Sequence, residues 1–183
     1  MNRCEGWEVL LITGFAAGCV LAGPVGCGAH EGQAEGTAPL TATQPGSTVV
    51  GMATFVDTPK GLQITIDVAG APPGLHGLHI HEEGACGDGG NAAGGHFNPD
   101  KANHGFLPKD GFVRAHAGDL GNIEVGANGS GTLALTLPGL TLRDGPHAVN
   151  GRSVILHEKP DDFGQPTGNA GGRIACGIIE ISP

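Results

Sequence analysis

Tyrosine is missing from this 183-residue chain, tryptophan occurs once, and aromatic residues make up only 4% of it. Basic residues are also scarce, 9 Lys and Arg against 18 Asp and Glu, for a formal net charge of −9. That balance argues against a nucleic-acid surface, because a phosphate backbone is held by a basic footprint. It also means that a small anion handled by this protein needs a local positive site. No heptad pattern and no internal repeat runs through the sequence, which excludes a coiled coil or a solenoid. What the chain has in quantity is glycine, 35 residues, with 13 prolines. Short elements joined by many tight turns, and hence an all-β fold, follow from that composition.

The first 27 residues differ from the rest. An apolar run from Val9 to Ala22 carries no charge and ends among small residues, the pattern of an export signal rather than of a buried helix. Cys19 follows Ala16-Ala17-Gly18 and Cys27 follows Val25-Gly26, so either cysteine offers a lipid attachment point as in bacterial lipoproteins; plain cleavage would discard both. Residues 28–46 are rich in Gly, Ala, Thr, Glu and Pro and are expected to be a flexible linker, with the folded domain spanning 47–183. If Cys4, Cys19 and Cys27 leave or are modified, Cys86 and Cys176 remain. An even pair in an exported chain reads as a disulfide worth roughly 2–5 kcal/mol. The compartment is then periplasm or cell envelope.

Strand-length alternating stretches recur at residues 49–56, 62–68, 75–81, 120–125, 132–137, 152–157 and 174–181, with turn signals such as Pro59-Lys60-Gly61 and Asn128-Gly129 between them. Seven or eight antiparallel strands make a Greek-key β-sandwich or flattened barrel, immunoglobulin-like, with two long functional loops at 82–118 and 159–173.

Seven side chains with metal-binding capacity crowd the middle of the chain: His79, His81, His96, His104, His116, Asp119 and His157. Alternate side chains leave the same face of a strand, so His79 and His81 project together. His157 ends another strand, and if the two strands are neighbours three imidazoles meet. Imidazoles without thiolate suit Cu(II), Zn(II), Ni(II) or Fe(II) and not Mg(II) or Ca(II). His104, His116 and Asp119 lack one donor of the tetrahedron that zinc favours. His96 can supply it and, through its second ring nitrogen, join the other group as well. By strict alternation His76 shares its face with neither ligand and reads as a packing or supporting group; His30 and His147 read as solvated. No Ser or Cys nucleophile lies near a motif and no carboxylate is placed as a general base, which argues against a hydrolase.

Five motifs together resemble the copper/zinc superoxide dismutases. Gly74-Leu75-His76-Gly77-Leu78-His79-Ile80-His81-Glu82 is similar to that family's copper-binding strand and Gly95-His96-Phe97-Asn98-Pro99 to its bridging-histidine loop. His104-Gly105 with His116-Ala117-Gly118-Asp119-Leu120-Gly121-Asn122 resembles its zinc loop. The stretch from Gly151 through His157 to Asp162 resembles the strand bearing the last copper ligand, and Gly168-Asn169-Ala170-Gly171-Gly172-Arg173-Ile174-Ala175-Cys176-Gly177 the closing signature. The spacing of Cys86 five residues after His81 is similar to bacterial members. The resemblance implies copper on His79, His81, His96 and His157, zinc on His96, His104, His116 and Asp119, and the disulfide Cys86–Cys176. It further implies that Asp161 links a copper-ligand imidazole to a zinc-ligand imidazole, that Arg173 orients the superoxide anion, and that His96 carries a proton to the peroxide being formed. The implied activity is dismutation of superoxide to dioxygen and hydrogen peroxide, protecting the cell envelope, by a monomer or homodimer. The alternative is an exported copper/zinc-binding buffer protein without turnover. The final loop, Phe163-Gly164-Gln165-Pro166-Thr167, is short and uncharged, which leaves little for long-range steering.

Overall fold

The computed structural model of the protein describes residues 33–183. The export signal, Cys4, Cys19, Cys27 and His30 lie outside the described residues. Nine strands follow in chain order: β1 (Glu35–Ala42), β2 (Val50–Thr58), β3 (Gly61–Ala69), β4 (Gly74–His81), β5 (Asp119–Val125), β6 (Gly131–Leu137), β7 (Ser153–His157), β8 (Arg173–Ile178) and β9 (Glu180–Ile181). Eight of them hydrogen-bond in the order β5-β4-β7-β8-β1-β2-β3-β6, and β9 pairs with β1. Every pairing is antiparallel. The two end strands, β5 and β6, are joined by a tight turn in which Gly126 N–H donates to Ser130 O (2.9 Å). The sheet therefore curls into a nearly closed barrel, and the crossing from β3 to β4, which are not paired, gives it Greek-key connectivity.

Period-2 alternation builds the core. On β3, Leu62, Ile64, Ile66 and Val68 point inward while their neighbours face out, and Phe55, Leu78, Ile80, Leu120, Ile123, Leu140 and Leu142 complete the interior. Each such side chain contributes about 1.5–3 kcal/mol by leaving water. On β2, β3 and β6 the outward face is largely open to solvent. From His76 on, β4 is buried on both faces, as is all of β7, because the loops 82–118 and 158–172 fold over them. The outer face of β7 carries a second apolar group of Ala93, Ile155 and Cys176, with Cys86 against it. There Cys86 and Cys176 form a disulfide across 90 residues, Cα atoms 5.7 Å apart.

Two expectations need correction. Residues 35–42, read as part of a linker, form β1, which lies between β8 and β2; the ordered domain thus starts well before residue 47. The inward positions of β1 are Gly36, Ala38 and Leu40, mostly too small to register as an apolar stripe but suited to a tight spot: a Cβ on Gly36 would lie 2.8 Å from Glu180 O. Pro39 falls in the gap between the β8 and β9 pairings of β1, where one missing N–H costs no ladder bond. His147 is not a solvated turn residue either. Its Nε2–H donates to Asp100 Oδ2 (2.6 Å) and its ring stacks on Phe112, centroids 3.8 Å apart, tying the connector between β6 and β7 to the loop 82–118.

Candidate metal centre

All seven candidate side chains meet on the outer side of the barrel, under the two loops. Strands β4 and β7 are neighbours, with Leu78 opposite Leu156 and His81 opposite Ser153. Leu78 and Ile80 point into the core, so His79 and His81 face the loops. A register shift between Gly77 and His79 brings His79 opposite Asp119 of β5, and His157 lies opposite Arg173 of β8. Loop 82–118 returns to the same place: His96 forms a single β-bridge with His81, and Phe97 N–H donates to Ile80 O (2.9 Å).

The donor atoms converge in two groups that share a residue. His79, His81, His96 and His157 each offer an atom within 4.8 Å of the others, and so do His96, His104, His116 and Asp119; all seven residues are buried. Hydrogen-bond acceptors around the rim fix the imidazole tautomers. His81 Nδ1–H donates to Gly94 O (3.0 Å) and His157 Nδ1–H to Gly171 O (3.4 Å), which turns two Nε2 lone pairs toward each other at 3.4 Å. Asp161 takes Nε2–H from His79 (Oδ2, 2.8 Å) and from His104 (Oδ1, 2.9 Å), leaving their Nδ1 atoms inward. His79 Nδ1 has no hydrogen-bond partner among the described residues, and His104 Nδ1 has only the Asp119 carboxylate near it, at 3.0 Å.

Facing lone pairs and an orphaned buried nitrogen fit a bound cation. A tetrahedral ion with metal–nitrogen distances of about 2.0–2.1 Å separates its donors by about 3.3 Å. The His81–His157 contact and the 3.4 Å between His96 Nδ1 and His116 Nδ1 match that spacing. Asp119 supplies the carboxylate: Oδ1 lies 2.9 Å from His96 Nδ1 and 3.2 Å from His116 Nδ1, and Oδ2 lies 3.0 Å from His104 Nδ1. Asp119 is itself oriented by the N–H groups of Gly105 and His116, both at 2.9 Å.

Protonation follows the same division. Burial, reinforced by neighbouring positive charge, pushes His81 down to about 2 and His157 to about 3. For His96, burial outweighs the Asp119 hydrogen bond and leaves it at about 4. Three neutral imidazoles therefore offer lone pairs at any ordinary pH. Burial also works against a charge on His104, but hydrogen bonds to Asp119 and Asp161 overcome it and raise the group to about 9. The two carboxyls lie far below their usual range: burial opposes this, and the surrounding hydrogen bonds outweigh it, from His104 first in each case.

A channel of about 310 Å³ opens onto the four-imidazole group, lined by His81, His96, His157, Asn169 and Arg173 among others. Arg173 donates to Gly90 O and Gly94 O, each at 2.6 Å, and Gly94 O is the carbonyl that also orients His81. Gly94 has φ of +71°, and a Cβ there would lie 2.7 Å from Glu82 Oε1, so this shared carbonyl depends on glycine. His76 lies off the group, its ring nitrogens 2.8 Å from His157 O and from Pro72 O.

Several contributors lie within the quoted motifs without a role that the sequence assigns them. Arg152 packs over the Phe97 ring, 3.5 Å from its centroid, and donates to Glu82 O and Ala148 O, both 2.9 Å; it clamps the residues next to His81 and His96. Asn122 holds Asp161 by its backbone, accepting its N–H (2.7 Å) and donating to its O (2.9 Å).

A sequence model of the family described as copper/zinc superoxide dismutase (SODC) matches residues 49–179. A Cu-Zn superoxide dismutase of Onchocerca volvulus is 41% identical over 148 residues, 74% of this chain and 91% of that protein. An extracellular Cu-Zn superoxide dismutase of Haemonchus contortus is 43% identical over 139 residues, 72% of this chain and 74% of that protein. Among solved structures, that of the clock protein EA4 superposes with a TM-score of 0.74 at 39% identity, covering 82% of this chain and 96% of that one.

Proposed function

Because the chain belongs to the copper/zinc superoxide dismutase family and dismutes superoxide with copper and zinc, we propose that copper is held by His79, His81, His96 and His157. Zinc is held by His96, His104, His116 and Asp119. The observation that carries this assignment is that two buried four-donor groups share His96. The all-imidazole group lies on the channel, where a redox ion must meet substrate, and the group with a carboxylate suits zinc. When bound, copper supplies one-electron exchange with two successive superoxide anions, giving dioxygen and then hydrogen peroxide, while zinc supplies fixed positive charge.

The chain's own residues do the rest. Arg173, across the strand pair from His157, draws superoxide into an otherwise acidic molecule and orients it. His96 serves zinc through Nδ1, which faces Asp119, so its Nε2 is the atom that hands a proton to the departing peroxide. Asp161 keeps His79 and His104 in the tautomers that ligation requires. The protein acts as an exported enzyme that protects the cell envelope or periplasm. The apolar leader of residues 1–27, the Cys86–Cys176 disulfide and the extracellular relative support that reading, and the short His81-to-Cys86 spacing supports the bacterial subtype. Processed as a lipoprotein, the chain would carry its lipid on Cys19 or Cys27; plain cleavage would release it without either cysteine.

Reconstitution with both metals tests the assignment. His81→Ala is expected to retain zinc, lose copper and lose superoxide decay by pulse radiolysis. His116→Ala is expected to lose zinc. Either variant holding both metals at full occupancy would contradict the ligand sets.

A further inference from the structure

The loop between β7 and β8 forms a wall of the channel through Thr167, Asn169, Ala170 and Gly171. Its stretch 163–167 carries no charge, so what it contributes is position. Two contacts fix that position against loop 82–118. Gln165 Oε1 accepts His104 N–H at 3.1 Å, and Gln165 Nε2 donates to His104 O at 2.8 Å; one side-chain amide thus closes on both backbone groups of one residue. Phe163 packs against Phe106, ring centroids 5.7 Å apart, while adopting a φ of +60° that a bulky residue seldom accepts.

The side chain of His104 reaches back toward the same loop, with Nε2–H on Asp161 at the loop's start. Asn122 grips the Asp161 backbone at two points as Gln165 grips the His104 backbone. The His104–Asp161 contact is therefore held from both sides by a primary amide, whose oxygen and nitrogen are separate atoms that accept and donate at once.

We propose that Gln165 is a positioning residue that couples zinc binding at His104 to placement of the channel wall. It acts through the His104 backbone and touches neither substrate nor metal, and the inference rests on the assignment of His104 to zinc. Coupling of this kind is reciprocal. If zinc on His104 steadies the loop, the loop's grip on His104 raises zinc affinity by the same factor, and a weaker affinity is expressed mainly as faster release.

The test uses copper-free protein, with and without one equivalent of zinc. Deuterium uptake of residues 162–172 is followed by mass spectrometry, together with the rate at which a chelator removes zinc. In the wild type, zinc is expected to slow exchange of this segment. Gln165→Ala should diminish that slowing and speed zinc release, each roughly tenfold, the size expected from one to two net hydrogen bonds. Gln165→Glu keeps the acceptor but loses the donor and should fall between. The zinc-free variants should melt with zinc-free wild type. Undiminished slowing in Gln165→Ala, or destabilisation of the zinc-free protein as large as that of the zinc-loaded form, would overturn the inference while leaving the zinc assignment intact. No slowing in the wild type, with His104→Ala binding zinc as the wild type does, would instead bring down the assignment and the inference together.

Discussion

Arg173 keeps its guanidinium in place by donating to Gly90 O and Gly94 O, and a flat donor fork is needed to span two carbonyls. Arg173→Ala is expected to lower the second-order rate roughly tenfold or more, the scale of one charge-assisted contact, and to weaken its dependence on salt while metal content stays unchanged. Arg173→Lys should recover part of the rate only, since a lysine keeps the charge but not the fork. An unchanged rate in Arg173→Ala would remove the residue from its role. The seven positions whose donor atoms converge were legible in the sequence because coordination demands particular side chains at particular spacings, such as two histidines on one strand face. Gln165, Asn122 and Arg152 were not, because their partners are backbone groups and a ring far away in the chain. A glutamine in a polar loop carries no pattern that distinguishes such a contact from solvation.

Among the elements, β1 shows where sequence patterning stops. Strands such as β3 and β6 were readable to within about a residue because bulky aliphatic side chains alternate with polar ones. In β1 the inward positions are Gly36, Ala38 and Leu40, and the strand is specified instead by its two neighbours, with β2 pairing along most of its length. Removing it would expose the facing edges of both β2 and β8. A chain beginning at Ser47 is therefore expected to be insoluble or unfolded by circular dichroism, whereas one beginning at Gln33 should fold and reconstitute. A folded, active chain from Ser47 would show that β1 is dispensable. The long loops posed the opposite case. Their lengths and glycine content marked them as functional, but the way they fold back to bury β4 and β7 on the outside depends on contacts such as Phe97 N–H to Ile80 O, which no local signal announces.

At the scale of the whole molecule, the buried imidazole cluster makes stability depend on pH in a direction that can be worked out. His81, His96 and His157 fall to about 2, 4 and 3 in the folded protein against 6.5 when unfolded. On acidification the unfolded chain takes up these protons first, so stability is complete above about pH 6.5 and declines toward the folded values. His104, raised to about 9, does the reverse: its contribution is complete below 6.5 and is lost as pH rises through 9. Metal-free protein should then be most stable near pH 6.5, with three groups driving the acid side and one the alkaline side. Urea midpoints recorded from pH 5 to 9 check this; equal or greater stability at pH 5 than at 6.5 would contradict it. Bound metals should flatten the acid side, since ligation keeps the imidazoles from taking protons. The disulfide adds roughly 2–5 kcal/mol independent of this titration, so its reduction should shift all midpoints together.

His96 belongs to both donor groups, and its proposed sharing between two unlike ions underlies the roles proposed for every other residue of the centre. The most direct measurement is a crystal structure of the oxidised, fully loaded protein with anomalous data collected at the copper and zinc absorption edges. The expected result is copper among His79, His81 and His157, zinc among His104, His116 and Asp119, and the His96 ring ligating both, Nδ1 to zinc and Nε2 to copper. A single ion at full occupancy, or a His96 ring bound to one ion alone, would contradict it.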